Sequence, residues 1–182
     1  MPPLPDDSRW PELPYAAWQD TYATLHLWTQ IVGKIRLAQT PWLNHSWHVP
    51  LYVNARGLTT SPIPYEGRAF QIDFDFIDHV LWVRTSDGHV RQLMLAPKSV
   101  AEFYADLFVV LGELGLQLHI NTTPCEIADG VPFDQDLTHA SYDRDPRLGK
   151  RDGGDFCRSP HQQGCEPGPV LGAMDFGIAD YS

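Results

Sequence analysis

Between Thr40 and Gly67 the chain reads TPWLNHSWHVPLYVNARGLTTSPIPYEG, which holds two Trp, two His, two Tyr, one Arg and four Pro. Such a mixture suits neither a packed core nor a plain solvated loop. It suits the wall of a small-molecule pocket, where aromatic rings give contact area and a few polar groups give direction. His48 is the residue best fitted to move a proton, because imidazole titrates near neutrality. Arg56, beside Gly57, is placed to clamp a carboxylate or phosphate with both arms of its guanidinium. Trp42, Asn44, His45, Trp47, Tyr52 and Tyr65 complete the expected ligand-binding set. A purely structural loop, stiffened by Pro62 and Pro64 with Tyr65 capping the core, stands beside that reading.

His45 and His48 also form an H-x-x-H pair. Two imidazoles at that spacing can share a metal if a third ligand joins them, from His26, Asp73, Asp75 or the acidic residues 129–145. The pair lacks the Glu and the helical setting of H-E-x-x-H. A loop histidine held by backbone carbonyls and stacked on Trp explains it as well, so no metal ligand is assigned. Other chemical signatures are weaker. His139, Ser141 and Asp143 lie too close in sequence for triad members, and no G-x-S-x-G elbow exists. Asp134 and Asp136 lack the Gly and Glu of a calcium loop. No dinucleotide fingerprint or P-loop is present, and no cofactor is expected.

The elements that must position these residues are legible on both sides. Trp18, Tyr22, Leu25, Trp28, Val32 and Ile35 recur in steps of three or four, giving one helical stripe with Gln19, Asp20, Thr24 and Lys34 opposite. Thr40-Pro41 ends that helix. His26, four residues from both Tyr22 and Gln30, is expected to bond locally. Phe70, Ile72, Phe74 and Phe76 alternate with polar residues as a half-buried strand. Strands at His79–Thr85 and His89–Leu95 follow, joined at Asp87-Gly88 by an expected two-residue turn. With Phe76 opposite His79 and Ser86 opposite His89, one face carries Phe70, Ile72, Phe74, Leu81, Val83, Val90 and Met94. The other carries Asp73, Asp75, Trp82, Arg84, Arg91 and Leu93, a solvated face. Ser99 and Glu102 form a capping box before a second helix that Gly115 stops. Leu116, Leu118 and Ile120 alternate as a further strand. The fold class is α+β: an antiparallel sheet of four or more strands with two helices packed on one face.

Size and charge bound the rest. A chain of 182 residues suits one domain, here 1–146, followed by an irregular, poorly ordered tail at 147–182. The net charge is −10, and residues 121–146 carry six acidic side chains against one basic. Nucleic acid is therefore an unsuitable partner. No segment has the length and apolarity to span a bilayer, and no secretory signal is visible, so a cytoplasmic location is expected with no membrane partner. Three Cys without C-x-x-C spacing read as reduced thiols.

Several long phrases carry a resemblance. They are WPELP (Trp10–Pro14), WQDTYATLHLWTQIVGKIRLA (Trp18–Ala38), TPWLNHSWHVPLYV (Thr40–Val53), ARGLTTSPIPYEG (Ala55–Gly67), FDFIDH (Phe74–His79) and HASYD (His139–Asp143). Together they resemble a bacterial family known only as a domain of unknown function, which brings no activity or site residues with it. The resemblance implies a longer protein, continuing past HASYD into further helices and an aromatic-rich half. The Arg-, Gly-, Pro- and Gln-rich tail here has the composition of a GC-rich gene read out of frame. A truncated or frameshifted member is expected, marked by a second reading frame downstream of codon 146 that encodes helix-patterned sequence. Three functions follow: a domain binding a small anionic or polar aromatic molecule, a non-catalytic module docking on a partner protein, and a metal-dependent hydrolase using His45 and His48.

Overall fold

The computed structural model describes residues 15–144 apart from 126 and 128. The Pro-rich lead, the tail at 147–182, and with them Cys157 and Cys165, lie outside the described residues. Helix α1 spans Tyr15–Gln39, and helix α2 spans Val100–Glu113. Six short strands lie between them: β1 (Tyr52–Asn54), β2 (Gly57–Thr59), β3 (Ile63–Tyr65), β4 (Arg68–Asp75), β5 (Val80–Thr85) and β6 (Val90–Met94). All pair antiparallel in one sheet ordered β1-β2-β4-β5-β6, with β3 also on β4. The α+β class holds.

Strands β2 and β3 lie end to end along β4, which pairs with Gly57–Thr59 at Asp73–Asp75 and with Ile63–Tyr65 at Arg68–Phe70. Thr60 bridges the two: its N–H donates to the Ile72 carbonyl (3.0 Å), and its Oγ1 accepts from the Ile72 N–H (3.0 Å). The 40–67 stretch, expected to be a connector, thus supplies half of the strands. Each is three residues long, too short for a period of two to show in sequence.

The β4–β5 register is the expected one, with Phe70 opposite Thr85, Ile72 opposite Val83 and Phe74 opposite Leu81. The β5–β6 register is displaced by one residue: Val83 faces Arg91 and Leu81 faces Leu93. A three-residue loop, Ser86–Gly88, causes the shift. Thr85 and His89 close it (2.9 Å), and Gly88 adopts φ 90°, the bulged form of hairpin rather than a two-residue turn. A slip of one residue exchanges the faces. Val90 and Met94 are consequently exposed on the outer face with Trp82 and Arg84, and Leu93 packs against the core.

Helix α1 is also more enclosed than a one-sided stripe. Every residue from Leu27 to Arg36 is buried, including Lys34, and so is Thr24. The irregular segment after α2 wraps its second side. Gln30 exchanges hydrogen bonds with the Cys125 backbone (3.0 and 2.9 Å), Phe133 lies 5.9 Å from the Lys34 ammonium, and the Asp143 N–H donates to Thr21 Oγ1 (3.0 Å). His26 does bond locally, to Gln30 (3.1 Å).

Helix α2 opens on the expected capping box, with Ser99 and Glu102 satisfying each other's backbone N–H. It closes on a Schellman motif around Gly115 (φ 70°), as Leu116 N–H reaches Leu111 O and Gly115 N–H reaches Gly112 O (both 2.9 Å). The strand expected at Leu116–Ile120 does not form. Leu116 and Leu118 are buried in alternation, but the Gln117 N–H donates to the Tyr65 hydroxyl (3.0 Å) instead of to a neighbouring strand. Burial alone can create a period of two without a ladder.

Candidate functional site

The turn after α1 is built to turn one histidine inward and present two tryptophans outward. Asn44–Ser46 form a 3₁₀ turn whose His45 (φ 51°) and Ser46 (φ 59°) sit in the left-handed region, which is strained for residues with a Cβ. The chain therefore reverses within a few residues, closed by Ser46 N–H to Leu43 O (3.0 Å), Trp47 N–H to Asn44 O (3.2 Å) and Val49 N–H to Ser46 O (2.8 Å). His48 is buried at 2 % exposure, with Nδ1 accepting from the Leu43 N–H (3.3 Å) and Trp42 tilted against its ring at 5.2 Å.

Around that imidazole the surface is apolar and open. Trp42 is 62 % exposed, Trp47 67 %, Leu43 54 %, Val53 55 % and Tyr52 46 %. Tyr52, on the edge strand β1, donates its hydroxyl to the Trp47 carbonyl (3.2 Å), which binds the strand to the turn. Asn44 and His45 are exposed beside them. Between Arg36 and Arg56 the chain has no Asp, Glu, Lys or Arg, in a protein of net charge −10.

Of the eight residues singled out in sequence, Trp42, Asn44, His45, Trp47, His48 and Tyr52 share this turn and its edge strand. Arg56 and Tyr65 have other surroundings. The Arg56 Nε meets Asp75 (2.5 Å) and its Nη2 meets Asp78 (2.6 Å), so its charge is answered within the fold. Asp75 also accepts the Ile77 and Asp78 N–H groups (both 3.0 Å), making a closed knot at the β4–β5 turn. Tyr65 is a core residue, edge-on to Phe70 at 6.4 Å, with its hydroxyl bound to Gln117. It also lines an open groove of about 600 Å³ with Gln39, Pro41, Pro64 and Arg68.

Sequence reasoning missed Arg36. It is buried in the last turn of α1, donates from Nη1 to the Pro50 carbonyl and lies 5.0 Å over the Tyr52 ring. The only sequence trace is its position one turn before the helix-ending Thr40-Pro41. Its charge bears on His48: burial first, and the Arg36 guanidinium second, hold the imidazole pKa below its usual 6.5. A cation at that place also opposes a dication, and among the described residues no three His, Cys, Asp or Glu side chains gather into a metal site.

A pH dependence follows. The unfolded chain takes up the proton that folded His48 refuses, so this contribution to stability is complete above about pH 6.5 and is lost as the pH falls through the lowered folded pKa. His79, lowered by burial and then by Arg144, adds in the same direction. Urea midpoints should fall as the pH drops below about 6.5, and less steeply in His48→Gln. A slope unchanged by that substitution would remove His48 from the account.

A family model described as a family of unknown function, DUF5996, matches residues 10–147. The chain belongs to that family. The matched span takes in the whole turn, the sheet and both helices, and ends where the tail begins. No curated protein and no solved structure matches the chain. Among the described residues no helix is long and apolar enough to cross a membrane.

Proposed function

We propose that this DUF5996 member is a docking module that takes a protein partner on the surface made by Trp42, Leu43, Trp47, Tyr52 and Val53. The carrying observation is exposure without charge: both tryptophans are about two-thirds exposed within a stretch that lacks ionic side chains. Exposed apolar patches of this kind mark interaction sites, and Trp and Tyr dominate binding energy at interfaces. Strand β1 adds a second means of attachment. It pairs with β2 at the end of the sheet order, so an extended partner segment can add beside it through backbone hydrogen bonds. The partner is then an uncharged, apolar surface or strand, chosen by shape rather than by charge.

A cytoplasmic setting and a bacterial source fit this reading, with Cys125 a free thiol. Binding of a small anion is a second reading, and Arg36 is the observation in its favour. A metal-dependent hydrolase has least support, because the His48 imidazole lies beside a guanidinium.

The double substitution Trp42→Ala/Trp47→Ala tests the docking reading. Both rings are largely solvated, so the fold should lose no more than about 1 kcal/mol, while partner affinity falls by about 2 kcal/mol or more. A double variant that keeps its partner at unchanged affinity would contradict the proposal.

A further inference from the structure

Arg36 is the most buried arginine of the described fold, at 6 % exposure. Other arginines there meet carboxylates: Arg56 meets Asp75 and Asp78, Arg68 meets Asp87, Arg84 meets Asp73, and Arg91 meets Glu113. Arg144 is exposed to water. Arg36 meets no carboxylate among the described residues. Its Nε is shut off from solvent and has no hydrogen-bond partner there. The Thr40 hydroxyl is in the same position, buried and unpartnered. Thr40 follows Arg36 by one helical turn, its N–H donating to the Arg36 carbonyl (2.9 Å), so both belong to one face of the helix end.

A buried charge that lacks a counter-charge costs more than a helix C-terminus and one aromatic ring return. The guanidinium has already spent Nη1 on the Pro50 carbonyl. What remains is the edge formed by Nε and Nη2, whose two parallel N–H groups match the two oxygens of a carboxylate. His48 accepts the Leu43 N–H at Nδ1 (3.3 Å), so in this geometry it is a neutral ring, and Arg36 leaves a single positive charge to balance, which suits a monoanion better than a doubly charged phosphate.

We propose that Arg36, Thr40 and His48 form a carboxylate-binding site beneath the Tyr52 ring. Arg36 grips both oxygens, the Thr40 hydroxyl donates to one of them, and His48 forms the uncharged wall. Tyr52, half exposed on an edge strand, is the cover that a ligand displaces. This assignment rests on the unpartnered Arg36 and Thr40 groups and stands whether or not the tryptophans dock a partner.

Acetate is the probe, titrated into the full chain at constant ionic strength against chloride, with the His48 ring resonances and the thermal midpoint as readouts. Acetate should shift both saturably where chloride does not, and inorganic phosphate should bind more weakly. Arg36→Lys, which loses the fork, should weaken acetate about tenfold or more, and Thr40→Val several-fold. Trp47→Ala, which leaves the Trp42 ring in place against His48, should leave acetate affinity intact and so separates this site from the docking surface. A capped peptide with one Glu that binds more tightly than acetate, and loses that advantage in the tryptophan variant, assigns the carboxylate to a docked polypeptide. Equal affinity assigns it to a free small molecule. Chloride acting as well as acetate, or Thr40→Val and Arg36→Lys both binding like the parent protein, would overturn the proposal. If Arg36→Lys does not fold, Thr40→Val and the His48 resonances of the parent decide it.

Discussion

Gly57→Ala should destabilise the protein by about 3 kcal/mol or more, lowering the thermal midpoint by roughly 10 °C. Gly57 begins β2 opposite Asp75, and a Cβ there would stand 2.1 Å from the Phe74 carbonyl oxygen and 2.9 Å from the Phe76 ring. The oxygen belongs to the backbone of the central strand, so it cannot swing aside as a side chain would. Relief requires β2 to leave β4. Strand β1 hangs on β2 alone, and Tyr52 ties β1 to the Trp47 turn, so the disturbance travels to the proposed docking surface. The measurement is a thermal melt paired with Trp fluorescence of the folded state. A midpoint within about 2 °C of the parent would mean that the β2–β4 contact is looser than described.

Trp28→Ala should cost about 3–5 kcal/mol, the usual range for emptying a large aromatic site in a core. Trp28 is fully buried and lies between two rings, 4.5 Å from Phe103 on α2 and 5.6 Å from Tyr142 in the segment that crosses α1. It therefore joins three separate parts of the chain. Its indole N–H has no partner among the described residues, so the residue acts through shape and stacking alone. Trp28→Phe should accordingly cost much less than the alanine change, about 1–2 kcal/mol. Equal losses in the two variants, measured by urea unfolding, would show that something other than ring contact holds the site.

Trp28 and its neighbours in the core also show how far the sequence could be read. Trp28 announced itself through helical spacing, as did Phe74 through alternation, and the β4–β5 register is the one set by placing Phe76 opposite His79. The capping box at Ser99 was equally plain, because its chemistry is local. What failed depended on one turn or on partners far along the chain. Asp87-Gly88 signals a hairpin but not its loop length, and one extra residue exchanged Val90 and Met94 with Arg91 and Leu93. Strands β1–β3 were hidden because three residues cannot display a period. Arg56 looked like a free anion clamp beside its glycine, yet its carboxylates, Asp75 and Asp78, come from another hairpin. Arg36 looked like an ordinary last-turn helix residue, and only the returning loop, which brings Pro50, His48 and Tyr52 over it, reveals a buried charge.

Partner contact at the aromatic turn is most directly measured by placing the photoreactive side chain of p-benzoylphenylalanine at Trp47 and, as a control, at Val109, which is 62 % exposed on α2. Irradiation in cells should join position 47 to one discrete polypeptide, position 109 to none, and the adduct should disappear when Trp42→Ala is added. Matching adducts at both positions, or none at position 47, would contradict a docking role for this surface.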